Sequence, residues 1–415
     1  MTPTHTLTTS ARHSDVAIVL SGGGALAAYE VGILRALLSG RTAATNYESV
    51  DPGVITGTSA GAVNAALLMS HLDRGIPQAL DALTRVWLDE FASTMGRNNG
   101  VYRVRLNPLQ LMDLRALTRN PMQPVADFLN DVTSLTRTLA RRGLEFALST
   151  GALESRIAEF VDLAAFVASE ALPRTLRRVL DLGSVEHSRR SLRVAATNWQ
   201  SGRLTVFENR HMTGESGYMA LCASAAIPGI FPPVEVDGEM YVDGSLVLNT
   251  PLKPAIDAGA TTLHVVYVDA RVDDIPLARR ASSLKVFERS RAITFAAAAC
   301  KDVETIKLIN EGLTFPPLGS TSLSGGNAGQ LILNGRPRNG QGRPFRPITI
   351  HRYHPLDDMV EGLGILDFSR STIQRLIDRG YQDGLQHNCD RNQCVRPTDL
   401  STLNESRNEQ TCLTA

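Results

Sequence analysis

The stretch Val54-Ile-Thr-Gly57-Thr58-Ser59-Ala60-Gly61-Ala-Val-Asn-Ala-Ala-Leu-Leu68 leaves a chain few ways to fold. An apolar, β-branched run enters Gly57, and from Ala60 the pattern keeps Val63, Ala66 and Leu67 on one helical face, so Ser59 falls on a strand-to-helix turn. A serine in so tight a turn leaves no room for side chains two residues to either side, which is why Gly57 and Gly61 flank it, and its hydroxyl is pushed outward. The Ala60 amide, opening the helix, would face an oxyanion where the helix dipole favours negative charge.

A second strand–glycine–helix unit lies just upstream. Asp15-Val-Ala-Ile-Val-Leu20 reads as a buried parallel strand, Ser21-Gly22-Gly23-Gly24 as its turn, and Ala25 to Ser39 as a helix stopped by Gly40. Bare amides converging on a helix N-terminus make an anion cradle. It suits a dinucleotide, since Gly22-x-Gly24-x-x-Ala27 satisfies one glycine fingerprint, or it suits the oxyanion of an acyl transfer. The nucleotide reading gives no task to Ser59. With about forty residues between the units, their strands are expected side by side, both loops opening at one sheet edge.

Composition narrows the function classes. Lys plus Arg and Asp plus Glu are 42 each in 415 residues, so no overall field draws in nucleic acid. Arginines cluster locally at Arg137, Arg141 and Arg142, at Arg174, Arg177 and Arg178, and at Arg189, Arg190 and Arg193, a spacing shared by solvated helix faces and by contacts to anionic lipid headgroups. Five cysteines do not make a disulfide framework and point to a reducing compartment. Cys389 and Cys394 lack a second ligand cluster at zinc-site spacing and read as ordinary thiols; no metal and no cofactor is expected. No signal peptide or membrane-spanning run stands out, so a cytoplasmic protein, peripheral to membranes if it meets them, is the expectation, with export by a non-Sec route left open.

Further along, residues 1–14 read as a disordered leader and 76–190 as a helical insertion, a candidate cap, with Ala79 to Phe91, Val125 to Leu148 and Leu153 to Leu182 its best helices. Ser191 to Thr197 and Arg203 to Glu208 form a hairpin, and Ala223 to Pro233 suits a short helix followed by a rigid loop. Asp237-Gly238 turns a second hairpin whose return strand delivers Asp243-Gly244. As the turn is already supplied, a carboxylate at that strand end calls for another reason, and catalysis is a fair one. A strand at 263–268 closes the 15–270 core, and a helix at 282–309, a glycine-rich mobile loop at 321–347, a last strand at 348–351 and a helix at 369–385 make up a C-terminal extension, 271–386, packed on it; 387–415 reads as a disordered tail.

Four blocks in order resemble those of bacterial patatin-like phospholipases: Gly22-Gly-Gly24 with Tyr29-Glu-Val-Gly32, Gly57-Thr-Ser-Ala-Gly61, Ala223-Ser224 through Pro228, and Asp243-Gly244. The likeness runs from about Asp15 to Val268, with further traces in Leu366-Asp-Phe-Ser369 and Gly380-Tyr381. It implies a three-layer α/β/α fold with a mainly parallel central sheet, and a Ser-Asp dyad acyl hydrolase without a catalytic histidine. Ser59 matches the family nucleophile, Asp243 the base, and Gly22, Gly23 and Gly24 the oxyanion loop, with Gly57, Gly61 and Gly244 as motif support. Members usually carry Arg or Lys where this chain has Leu26, and a glycine where it has Ala27. If the missing cation only stabilises charge in the transition state, Leu26→Arg is expected to preserve or raise turnover.

The reading is therefore a lipid acyl hydrolase acting on a glycerolipid or phospholipid, of unassigned oligomeric state. Its rivals are a Ser-Asp-His esterase using His264, His351 or His354, a dinucleotide-binding enzyme, and a non-catalytic lipid-binding protein.

Overall fold

A computed structural model describes residues 15–94, 99–105, 122–148, 167–269, 283–314, 346–355, 359 and 364–397. The leader, the glycine-rich loop at 321–345 and much of the insertion, including most of the helix expected at Leu153 to Leu182, lie outside these residues.

At the centre is one sheet in the order β10-β9-β1-β2-β5-β8-β7, with β6 also paired to β5. β1 (Val16–Leu20), β2 (Val54–Thr58), β5 (Ser191–Asn198), β9 (Thr262–Val266) and β10 (Thr349–Tyr353) run parallel. β6 (Leu204–Glu208), β7 (Val234–Val236) and β8 (Glu239–Asp243) are joined antiparallel, and β3 (Arg103–Val104) with β4 (Val167–Ala168) forms a separate two-stranded ladder. The two hairpins are present as expected, the second turning through Asp237 and Gly238, both at positive φ.

Alternation along β1 creates the layers. Ile18 and Leu20 enter the larger core with α1 (Ala28–Leu38), α2 (Ala60–Leu72) and α3 (Ile76–Arg85), while Ala17 and Val19 enter a smaller one. Because successive strand side chains alternate faces, a continuous apolar run on a central strand demands cover on both sides. The larger core also takes in α5 (Ala171–Val179), α6 (Leu182–Glu186), α7 (Gly214–Ser224) and α10 (Arg370–Leu385); the smaller takes in α8 (Leu252–Asp257) and α9 (Ser283–Thr314). The remaining helix, α4 (Gln123–Leu148), belongs to the insertion. This is the expected three-layer α/β/α arrangement.

Four local expectations are corrected. The first loop is followed by a 3₁₀ turn, Gly24–Ala27, before α1 begins. The helix expected to run on to Phe91 widens after Arg85 into a π turn, Val86–Phe91, which turns Trp87 into the core, where it bonds Asn64. The small residues Ala223 and Ser224 end α7 instead of starting a helix, because Pro228 and the loop before it cannot continue one. The tail expected beyond His387 is corrected over 388–397, which turn back so that Val395 pairs with Ile350 of β10, while 398–415 lie outside the described residues.

The C-terminal extension is fixed by close helix contact. A Cβ on Gly380 would strike the Tyr29 carbonyl and one on Gly32 the backbone of α10, so glycine at both positions lets α1 and α10 touch, with Tyr29 donating to Asp383 at 3.1 Å. No helix among the described residues is long and apolar enough to cross a membrane.

Candidate active site

β5 brings the two candidate catalytic residues together. Its one edge carries β6 along Arg193–Thr197. Its other edge carries β2, ending with Thr58 opposite Ala195, and then β8, arriving from the opposite direction with Asp243 opposite Ala196. The strand that presents Ser59 and the strand that presents Asp243 thus meet head-on along one edge of β5. Gly244 is held at this junction, its Cα facing the Ala195 carbonyl so closely that no Cβ fits.

Ser59 has φ 56° and ψ −128°, a conformation that costs a non-glycine residue roughly 1–3 kcal/mol. The surroundings enforce it. A Cβ on Gly61 would stand 2.6 Å from the Ser21 carbonyl, and one on Gly57 would enter the backbone of Gly61, so both glycines exist to let the elbow close. The Ser59 amide donates to Ser224 Oγ at 2.9 Å, and Ser224 Oγ donates onward to the Ala195 carbonyl at 2.6 Å. Ser224 therefore ties the elbow to β5, a positioning role not drawn from the sequence, where it appeared only as a small residue before prolines.

Asp243 is fully buried. Its Oδ1 accepts from the Ser245 amide at 2.8 Å, while Oδ2 makes no hydrogen bond of good geometry. Burial lifts its pKa to about 6; the Ser59 hydroxyl, then the Ser245 amide and side chain, and the more distant Arg291 cation pull the other way. Ser59 thus lies close enough to act on the carboxylate, without a well-aligned bond.

Around Ser59 the glycine loop is only partly free. The Gly22 amide is committed to the Asn249 carbonyl at 3.1 Å, so of the expected donors only Gly23, Gly24 and Ala60 keep amides outside the described hydrogen bonds. A Cβ on Gly22 would lie 3.1 Å from Ser59 Cβ, which places the loop directly against Ser59. Leu26 points into the core and is 1 % exposed, so packing stands where the cation is absent, and Leu26→Arg would bury a charge there.

Ser59 opens onto a narrow apolar cavity of about 40 Å³ lined by Ala60, Val63, Trp87, Phe91, Phe231 and Phe368, among others. It shares Val101, Leu172, Ala225 and Phe231 with a wider cavity of about 440 Å³ that carries Arg174, Arg177, Glu170 and Glu215. Both arginines are ion-paired, Arg174 to Asp127 and Arg177 to Glu215.

The three histidines of the triad rival lie elsewhere. His264 is buried in β9, stacked on His351 with its Nδ1 3.0 Å from the Tyr353 hydroxyl, and His354 stacks on Tyr267 beside a different cavity. None of them lines the Ser59 cavity.

A family model described as patatin-like phospholipase matches residues 18–256. Among solved structures, VipD from Legionella pneumophila aligns over 91 % of this chain and 67 % of its own, at 15 % identity and a TM-score of 0.33, a likeness too slight to carry weight. No curated protein matches the chain.

Proposed function

The chain belongs to the patatin-like phospholipase family, and from that premise we propose that it is a serine lipid acyl hydrolase of phospholipase A or lysophospholipase type, working through a Ser59–Asp243 dyad. The observation that carries the reading is the junction on β5: a serine held at a strained elbow, against a buried carboxylate with one open oxygen, at the mouth of an apolar cavity.

The reaction follows from these positions. Ser59 Oγ attacks the acyl carbonyl as its proton passes to Asp243 Oδ2, and the oxyanion is met by the amides of Gly23, Gly24 and Ala60. Collapse expels the glycerolipid alkoxide, which takes the proton from Asp243, leaving the acyl chain esterified to Ser59. Water then attacks, gives its proton to Asp243, and the second collapse releases fatty acid and restores Ser59. A carboxylate with a pKa near 6 is a better base than one at its ordinary value and is still ionised at neutral pH.

The cavity at Ser59 suits the acyl chain, since its walls are aliphatic and aromatic, and the wider cavity beside it, with charged residues, suits the more polar end of the lipid. Leu246 and Val247, both exposed, come three and four residues after Asp243 and make an apolar pair that can enter a lipid surface. A dinucleotide held by the glycine loop would leave Ser59 and Asp243 without a task. The test is fatty-acid release from phosphatidylcholine vesicles and from the lysolipid: turnover by the wild-type chain with none by Ser59→Ala supports the reading, and equal turnover by both refutes it.

A further inference from the structure

Far from Ser59, at the open edge of the sheet, four ligating side chains turn toward one another. His351 comes from β10, His387 follows the end of α10, and Cys389 and Cys394 stand on the turn after it. Their ligand atoms all lie within 4.8 Å of one another. Cys389 Sγ is 3.5 Å from His351 Nδ1 and 3.5 Å from His387 Nε2, and Cys394 Sγ is 3.6 Å from His387 Nε2. A tetrahedral zinc ion with Zn–S of about 2.3 Å and Zn–N of about 2.0–2.1 Å sets sulfur-to-nitrogen edges of about 3.5–3.6 Å. The three observed separations equal that edge.

The surroundings are those of a metal knuckle. The Arg352 amide donates to Cys394 Sγ at 3.3 Å, and the Cys394 amide donates back to the Cys389 carbonyl at 2.9 Å, closing the turn. Asn388 Oδ1 accepts from the amides of Asp390 and Arg391, and Gln393 takes a positive φ, so the turn is preformed with both sulfurs inward. His387 Nδ1 lies 2.9 Å from the Asn392 side-chain amide, which sets the ring so that Nε2 faces the thiols. The His351 ring is held by stacking on His264. Outer contacts of this kind orient metal ligands.

We propose that His351, His387, Cys389 and Cys394 bind one zinc ion. Two sulfurs and two nitrogens in a tetrahedron select zinc over magnesium or calcium, and four protein ligands leave no position for substrate, so the site is structural. Its effect is to staple residues 388–397 and the end of α10 to β10, covering the edge strand that Val395 pairs. The pair Cys389 and Cys394, read from the sequence as ordinary thiols, thereby gains two histidine partners from the fold.

The test is metal analysis of the full-length chain, purified without chelator or polyhistidine tag. The expected result is one zinc per chain, falling at least tenfold in Cys389→Ser and in Cys394→Ser. Removing zinc and adding Co(II) to the wild-type chain should produce the thiolate-to-cobalt absorption and visible bands of a tetrahedral site, a readout that does not depend on any variant folding. Wild-type protein with native circular dichroism that holds no stoichiometric zinc and gives no thiolate–cobalt absorption would overturn the proposal. So would full zinc retention in both serine variants, or a Cys389–Cys394 disulfide in protein isolated under reducing conditions.

Discussion

The Ser59 junction and the Cys389 knuckle are both polar clusters built at strand ends, yet they are finished in opposite ways. At Ser59, polar capacity is left over: Asp243 Oδ2 lacks a well-formed bond, the Gly23, Gly24 and Ala60 amides stand outside the described hydrogen bonds, and Gly24 and Ala60 line a cavity. At the knuckle the four ligating atoms face inward on one another. Unspent hydrogen-bonding capacity inside a protein is costly, and it persists where a guest completes it. On our two proposals a transient acyl group does so in the middle of the sheet, and a permanent ion at its β10 edge.

If that contrast is right, damage to the open site should remove activity while sparing the fold, and the largest loss should come from Asp243→Asn among variants that keep the nucleophile. It removes the base at nearly constant shape and should lower kcat/KM by about 10²–10⁴. Stability should move the other way. The folded pKa of Asp243, about 6, lies above its ordinary value of 3.8, so the fold prefers the protonated acid. The native state then binds more protons than the unfolded chain between those values, and stability is lost as pH rises through about 6. Asp243→Asn should therefore gain up to about 3 kcal/mol at pH 8 and little near pH 4, measurable by urea titration at both. The same titration predicts that kcat/KM of the wild-type chain falls tenfold per unit below pH 6 and is flat above it; a profile flat down to pH 4.5 would exclude Asp243 as the base.

Leu26→Arg probes the core beneath the oxyanion loop, where burying an unpaired cation should cost several kcal/mol and lower Tm sharply. An unchanged Tm would mean that a partner for the cation exists there. Ser224→Ala is a smaller lesion. It strands the Ser59 amide and the Ala195 carbonyl, so about 1–3 kcal/mol of stability should go, with a fall in kcat larger than any change in KM. The smallest effect is expected from His354→Ala, within about twofold of wild type on a short ester at matched stability, since this ring stacks on Tyr267 away from Ser59. A loss as deep as that of Asp243→Asn would bring back the histidine triad.

How much of this could be read beforehand depended on distance along the chain. Gly57 to Gly61 sit within one turn, so steric necessity alone exposes the elbow. Asp243 was legible because its hairpin already had a turn at Asp237-Gly238, leaving the second Asp-Gly without another purpose. The head-on meeting of β2 and β8 was not legible, since pairing partners are chosen by the whole sheet. Nor was the Gly22 amide's commitment to Asn249, or the role of Ser224, because each depends on a partner brought close only by folding. The knuckle was missed for the same reason: His387 and the two cysteines form a short cluster, but the fourth ligand, His351, arrives from a strand on the far side of α10.

The central claim, that Ser59 is the nucleophile of a histidine-free dyad, is tested most directly by labelling the folded chain with an alkyl fluorophosphonate and mapping the adduct by peptide mass spectrometry. The account predicts one phosphonate per chain, on Ser59, formed at a rate that drops with pH below about 6 and at least a hundredfold in Asp243→Asn. A native chain that takes no label, or takes it on another residue while Ser59 stays free, would contradict it.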